Sequence, residues 1–390
     1  MTQRRNWIHL GRLAALLLSL TFVRCSDKKP AGPDWPAQLQ ATRRYADSLG
    51  IDSTRFASSN PAEARQTLEK LITEIRYGHE PDDQSFAKLK ETVDTAVVGK
   101  ALRASDVASA LKTDAPRFAP YKALLAQYQQ VRQTATPEQR KAIERTLNYY
   151  RYLNRFSNEQ FILVNIPAAR LVVYDRAGQR TLPMDVIVGK ADKATPRFNC
   201  NLTEIVAYPY WNVPESIAKK EILPKVKAST SYLDSQNMQI LDARNEPVDP
   251  ESIDWETVSA SDFPYRFRQT SGCHNSLGLI KFVLNGPPAI YLHDTNAREL
   301  FDQTTNHWRS HGCVRVQQPV ELANFVLGAT KFDEGFYNRC LVDQTPKSFK
   351  LPKPFPVFVT YLLADVDDQG KLVYFKDVYR LEKKMDLAAR

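Results

Sequence analysis

The apolar positions change their period at about residue 159. Before it they recur at helical spacing: Ala64, Leu68, Leu71, Ile72 and Ile75 share a face behind Asn60-Pro61-Ala62-Glu63. That start combines an N-cap Asn, a Pro at the first helical position and a Glu at the third. Thr136-Pro137-Glu138-Gln139 opens a second such stretch carrying Ile143, Leu147 and Tyr150. Both stripes read as packing faces. Beyond residue 159 the runs are short and β-branched. Residues 161–166 and 171–174 around Pro167-Ala168-Ala169 predict a hairpin, and residues 184–188, 204–207, 281–284, 289–293 and 314–316 predict further strands. Residues 357–363 and 372–375, flanking Asp367-Asp368-Gln369-Gly370, predict a terminal hairpin. From Pro209 to Gln269 the prolines at 214, 224, 247, 250 and 264 break any strand pattern, and so long a stretch inside a compact domain predicts a functional lid.

The expected fold class is therefore α+β: a helical N-terminal scaffold followed by a β-rich, mixed-sheet domain with an inserted lid. Residues 1–25 are expected as a processed leader and 26–36 as a linker, with the scaffold over 37–157. The catalytic domain is expected over 158–345, its lid over about 209–269, and a C-terminal hairpin and tail over 346–390. The leader reading rests on Arg4, Arg5 and Arg12 ahead of the apolar run Leu13–Val23, too short for a span of about 20 apolar residues. Cys25 follows at once, and lipidation there is the expectation, although Phe22 and Arg24 make the lipobox a loose one. A cleaved soluble protein and an uncleaved anchor are the alternatives.

Composition adds little to the fold and more to the partners. With 390 residues, 43% hydrophobic and 25% charged, the chain is neither disordered nor a multi-span membrane protein. Its net charge of +9 is spread without a Lys/Arg run or a base-stacking motif, which argues against nucleic acid and fits an acidic polymer outside the cytoplasm. Apart from Cys25, the cysteines are Cys200, Cys273, Cys313 and Cys340; Cys200–Cys273 and Cys273–Cys340 both stand as bridges.

The chemistry concentrates in Ile290-Tyr291-Leu292-His293, a spacer of sixteen residues, and Ser310-His311-Gly312-Cys313-Val314-Arg315. A cysteine attacks as thiolate and needs a base or an electropositive setting; His293, ending a strand, can be that base. Between them Asn296-Ala297-Arg298-Glu299 predicts an N-cap box opening a short helix, so that the excursion brings Cys313 back beside His293. Gly312 permits the tight turn of an oxyanion-binding loop, with Ser310 and His311 beside it, and Arg315 offers a cation to substrate carboxylates. A zinc site is disfavoured because His311 stands too close to Cys313 for ordinary ligand spacing, so no metal is expected.

The series His293, spacer, Ser310-His311-Gly312-Cys313 resembles the signature of YkuD-type L,D-transpeptidase domains. Segments 208–214, 217–224, 275–282 and 291–295 resemble the large, lid-bearing, YcbB-like murein enzymes. Two departures stand out: the peptidoglycan-binding module of that subfamily is missing before residue 136, and Ser271-Gly272-Cys273-His274 replaces its usual Pro-Gly. The resemblance implies cofactor-free peptidoglycan L,D-transpeptidation, in which Cys313 forms a thioester with a stem peptide, terminal D-Ala leaves and a 3→3 cross-link results. It makes Tyr291, Asp294, Trp211, Asn212 and Asn275, with Arg315, candidates for substrate contacts, and a group near Asp294 the orienter of the His293 ring. The alternatives are an L,D-carboxypeptidase or D-amino-acid exchange enzyme on the same thioester, and a non-catalytic wall-binding lipoprotein. The implied partners are stem peptides and, through Cys25, a bacterial envelope membrane, with the protein facing the periplasm; the oligomeric state is open.

Overall fold

The computed structural model describes residues 33–382 except 59, 83, 114–115, 157–159, 304 and 341–343. The leader, Cys25 and most of the expected linker lie outside the described residues. The last two linker positions, Trp35 and Pro36, already belong to helix α1 (Trp35–Ser48). It is followed by α2 (Ala64–Tyr77), α3 (Thr95–Leu102), α4 (Val107–Thr113), α5 (Ala119–Val131) and α6 (Pro137–Tyr152). The stripe read from sequence is the buried face of α2. The helix begins after Glu63 because Asn60 spends its side chain on a turn, accepting from the Ala62 N–H at 2.9 Å. At α6 the box forms as expected, with Thr136 Oγ1 accepting from the Gln139 N–H and Gln139 Oε1 from the Thr136 N–H.

The hydrophobic interior divides inside the helical region. α1 to α4 close their own core around Leu68, Leu71 and Ile72, whereas α5 and α6 join the core of the sheet. Tyr150 of α6 is fully buried there, and Thr146 Oγ1 donates to the Ala364 carbonyl at 2.6 Å.

Among the described residues the strands are β1 (Phe86–Ala87), β2 (Phe161–Asn165), β3 (Arg170–Tyr174), β4 (Arg180–Gly189) and β5 (Phe198–Ala207). The short strands β6 (Trp211–Asn212), β7 (Met238–Leu241), β8 (Pro247–Val248) and β9 (Arg266–Gln269) come next. They are followed by β10 (Ile280–Leu284), β11 (Leu292–His293), β12 (Trp308–Ser310), β13 (Val314–Val316), β14 (Lys347–Thr360), β15 (Ala364–Val366) and β16 (Leu372–Tyr374). The order β5-β10-β11-β13-β4-β3-β2-β14 closes on itself, because β14 pairs with both β2 and β5. Most neighbours are antiparallel, but β11–β13 and β14–β2 are parallel, so the sheet is mixed. Residues 357–360 differ from the sequence reading: they are central strand, and the terminal hairpin is β15–β16. An apolar run reads alike in either place; only long-range pairing decides.

The segment between β5 and β10 is not the irregular loop its prolines suggest. It folds into the separate sheet β6-β9-β7-β8 and a helix over residues 215–228, closed over Ile222, Val226, Leu233, Ile240 and Phe267. The stretch Ala218–Ile222 of that helix is wound as π-helix immediately before Leu223-Pro224, where proline removes a donor and crowds the preceding turn.

Candidate active site

β11 lies between β10 and β13, with His293 opposite Lys281 on one side and Arg315 on the other. Opposed residues in a ladder share a face, so Lys281, His293 and Arg315 point one way. Phe282, Leu292 and Val314 point into the core and are fully buried. Tyr291 and Cys313, each two residues before a member of that row, fall on the same side. Lys281 Nζ sits 3.7 Å over the Tyr291 ring.

The half-buried thiol of Cys313 donates to the Ala289 carbonyl at 3.3 Å. Burial pushes its pKa up, while the Tyr291 N–H and the charges of Lys281 and Arg315 pull it back down. Fully buried His293 is pushed down to about 3 by desolvation first and by Arg315 and Lys281 after it, against the pull of the Asp294 and Leu277 carbonyls. Its Nδ1–H donates to the Asp294 carbonyl at 2.5 Å, which leaves Nε2 as the lone-pair nitrogen. No direct hydrogen bond joins thiol and imidazole.

The turn carrying Cys313 is held from both sides. Gly312 has φ +115°, a conformation open to glycine. Ser310 Oγ accepts from the Gly312 N–H at 3.1 Å and donates to the Cys313 carbonyl at 2.6 Å. Ser310 is thus a brace, and Gly312, expected on the oxyanion side, has its N–H already engaged. The Cys313 N–H is left without a partner. His311 is exposed and meets Glu221 of the inserted segment, Nε2 lying 3.0 and 3.2 Å from the two carboxylate oxygens. Glu221 also pairs with Lys193 at 2.5 Å, and that contact, ahead of His311, holds its carboxyl below the ordinary range.

Several expected substrate contacts are occupied otherwise. Buried Asp294 accepts from the Leu279 N–H at 2.8 Å and from Arg298 at 2.5 Å; what orients His293 is its backbone carbonyl. Gly278 allows that approach, since a Cβ there would lie 2.4 Å from the Asp294 carboxyl carbon. Asn275 is buried, donating to the Pro209 and Thr270 carbonyls and accepting from the Leu277 N–H, so it ties the root of the insertion to the loop before β10. Trp211 and Asn212 pair with Gln269 and Arg268 at that root. Asn296 is not the cap of the short helix Leu300–Gln303. Thr295 Oγ1 accepts from the Ala297 N–H at 3.1 Å, while Asn296 donates to the His274 carbonyl at 3.2 Å. Arg315 and Tyr291 remain on the thiol's face, and Arg315 Nε is buried without a hydrogen-bond partner. Sequence reasoning passed over Lys281 and Glu221, which stand in segments it quoted as motif without assigning either a role.

Cys273 pairs with Cys340, fastening the loop that precedes Asn275, and Cys200 is a buried thiol pushed up to about 12 by burial. No cluster able to hold a metal occurs among the described residues.

Residues 159–345 match the sequence profile of the YkuD family, the L,D-transpeptidase catalytic domain. A candidate L,D-transpeptidase of Haemophilus influenzae is 38% identical over 227 residues, 58% of this chain and 45% of that protein. The match thus spans about half the length of this curated relative. Solved structures include an Enterococcus faecium L,D-transpeptidase mutant at 10% identity, covering 53% of this chain and 51% of that one with a TM-score of 0.22. An L,D-transpeptidase from Mycobacterium smegmatis gives 14%, 52% and 58%, with a TM-score of 0.21.

Proposed function

We propose that the protein is a peptidoglycan L,D-transpeptidase making 3→3 cross-links through a Cys313 thioester, a reading supported by the match of residues 159–345 to the L,D-transpeptidase catalytic domain family. The observation that carries this reading is the thiol itself. It lies on one sheet face with His293 and two cations, beside an unpaired backbone N–H.

Cys313 Sγ attacks the carbonyl after the third stem residue as its proton passes to His293 Nε2. The carbonyl oxygen takes up the negative charge and accepts from the Cys313 N–H. Collapse breaks the C–N bond, and terminal D-Ala leaves with the proton from His293; an imidazolium pressed by Lys281 and Arg315 gives it up readily. The side-chain amine of a neighbouring stem then attacks the thioester carbonyl and loses its proton to His293. The S–C bond breaks, and the thiolate recovers that proton. A hydrogen bond between thiol and imidazole is required only once substrate is bound.

The insertion, residues 209–269, acts as the lid over this face; its support is the contact of Glu221 with His311, two residues from the nucleophile. Export and lipidation at Cys25 complete the proposal, placing the domain in the periplasm. Cys25→Ala should then release the protein from membranes that retain wild type through high salt.

The decisive experiment is incubation with tetrapeptide-bearing muropeptides, read by mass spectrometry. Wild type should give cross-linked dimers with loss of D-Ala, and Cys313→Ala none. Equal turnover by Cys313→Ala overturns the mechanism, and products carrying only added water or a free D-amino acid overturn cross-linking while keeping the thioester.

A further inference from the structure

The loop between β4 and β5 lies outside the catalytic signature, yet it reaches the nucleophile's backbone. Thr195, 2% exposed, donates from Oγ1 to the Gly312 carbonyl at 2.8 Å and accepts there from the Gly189 N–H at 2.8 Å. Its own N–H donates to Tyr379 Oη at 3.2 Å, and that hydroxyl donates to the Gly189 carbonyl at 2.6 Å. Tyr379 arrives from beyond the terminal hairpin and is fixed in turn. Its ring stacks on Tyr361 at 5.5 Å, and its N–H donates to Tyr361 Oη at 2.8 Å. The loop is wound tightly enough that a Cβ on Gly189 would meet the Lys193 carbonyl oxygen at 2.2 Å and the Thr195 nitrogen at 2.7 Å.

The consequence follows from peptide geometry. The Gly312–Cys313 bond is trans and planar, so its C=O and N–H point in opposite directions within one plane. Whatever holds the Gly312 oxygen therefore aims the Cys313 N–H. Gly312, without a Cβ, would otherwise let that plane swing. Ser310 fixes the Gly312 N–H and the Cys313 carbonyl, on either side of the plane, but touches neither group within it.

We infer that Thr195, seated by Tyr379, is a positioning residue that aims the Cys313 N–H at the oxygen of the reacting carbonyl. This rests on the thioester reading above. It also gives the segment after the terminal hairpin a part in catalysis, exerted through Thr195 and the Gly312–Cys313 peptide.

The test separates reactions that form an oxyanion from one that does not. Acylation by a carbapenem passes through a charged carbonyl oxygen; alkylation by iodoacetamide displaces iodide and has no such oxygen. Thr195→Val should slow acylation about 10- to 100-fold, less than outright loss of an oxyanion donor. Alkylation at Cys313, located by peptide mass spectrometry, should stay within about twofold because the thiol's surroundings are untouched. Thr195→Ser should restore acylation, and Tyr379→Phe should reproduce a weaker form of the defect. Wild-type acylation rates in Thr195→Val overturn the inference. So does an equal slowing of both reactions that Thr195→Ser leaves uncorrected, which marks a packing role. A wild type that is alkylated but never acylated overturns the thioester reading as well, whereas a wild type that is acylated but cross-links no muropeptides leaves the positioning role standing and rejects only the substrate.

Discussion

The face bearing Cys313 and the cavity beneath the helices make opposite use of charge. The cavity is roomy, about 700 Å³, and is lined by Glu74, His79, Glu144 and Arg151 among others. Two of its acids are answered locally: Glu74 by His79 at 2.6 Å, Glu144 by the Tyr128 hydroxyl at 2.8 Å. On the face bearing Cys313, Lys281 and Arg315 stand without an ion pair, and burial draws both of their pKa values down. Cations left uncompensated beside a thiol favour any negative charge that forms, on sulfur, on a carbonyl oxygen or on a substrate carboxylate. Space marks where a ligand fits; unspent charge marks where a reaction is stabilised.

The sharpest way to break this contrast is His293. His293→Gln should lower turnover on the order of 10²- to 10⁴-fold, the range for a general acid–base group. It should also change the acid stability of the fold. The native ring, held down to about 3 from an ordinary 6.5, resists a proton that the unfolded chain accepts. The wild type therefore keeps full stability above about pH 6.5 and loses it as pH falls toward 3. Gln cannot titrate, so the variant's denaturation midpoint should vary less with pH in that window. An unchanged pH profile would place the ring in contact with water.

A smaller effect is expected at Lys281, whose charge favours the thiolate. Lys281→Met should shift the pH profile of iodoacetamide alkylation at Cys313 upward and slow muropeptide turnover, with the fold intact by circular dichroism. A profile that stays in place would assign the electropositive setting to Arg315 alone.

The smallest effect belongs to the cavity. Burial already pushes the Glu144 carboxyl up, and Gln keeps an oxygen for the Tyr128 hydroxyl. Glu144→Gln should therefore leave turnover within about twofold of wild type. A large loss would show that the cavity takes part in the reaction.

Local information was enough for the parts with a period or a fixed spacing. The α2 stripe, the Thr136 capping box and the strand pairs around residue 167 follow from side-chain recurrence. Those residues carry their interactions within a turn or a hairpin, so neighbours in sequence decide them. Contact across the fold settled the rest. Asp294 and Asn275 look like polar site residues, yet each is consumed by backbone groups brought from elsewhere. Lys281 and Glu221 become meaningful only when β10 pairs with β11 and when the insertion reaches His311. Thr195, which holds the Gly312 carbonyl, and Tyr379, far apart in the chain, meet only because β4, β5 and the C-terminal segment converge there. A hydroxyl in sequence is only a capacity to hydrogen-bond; which group it satisfies is set by the strands that surround it.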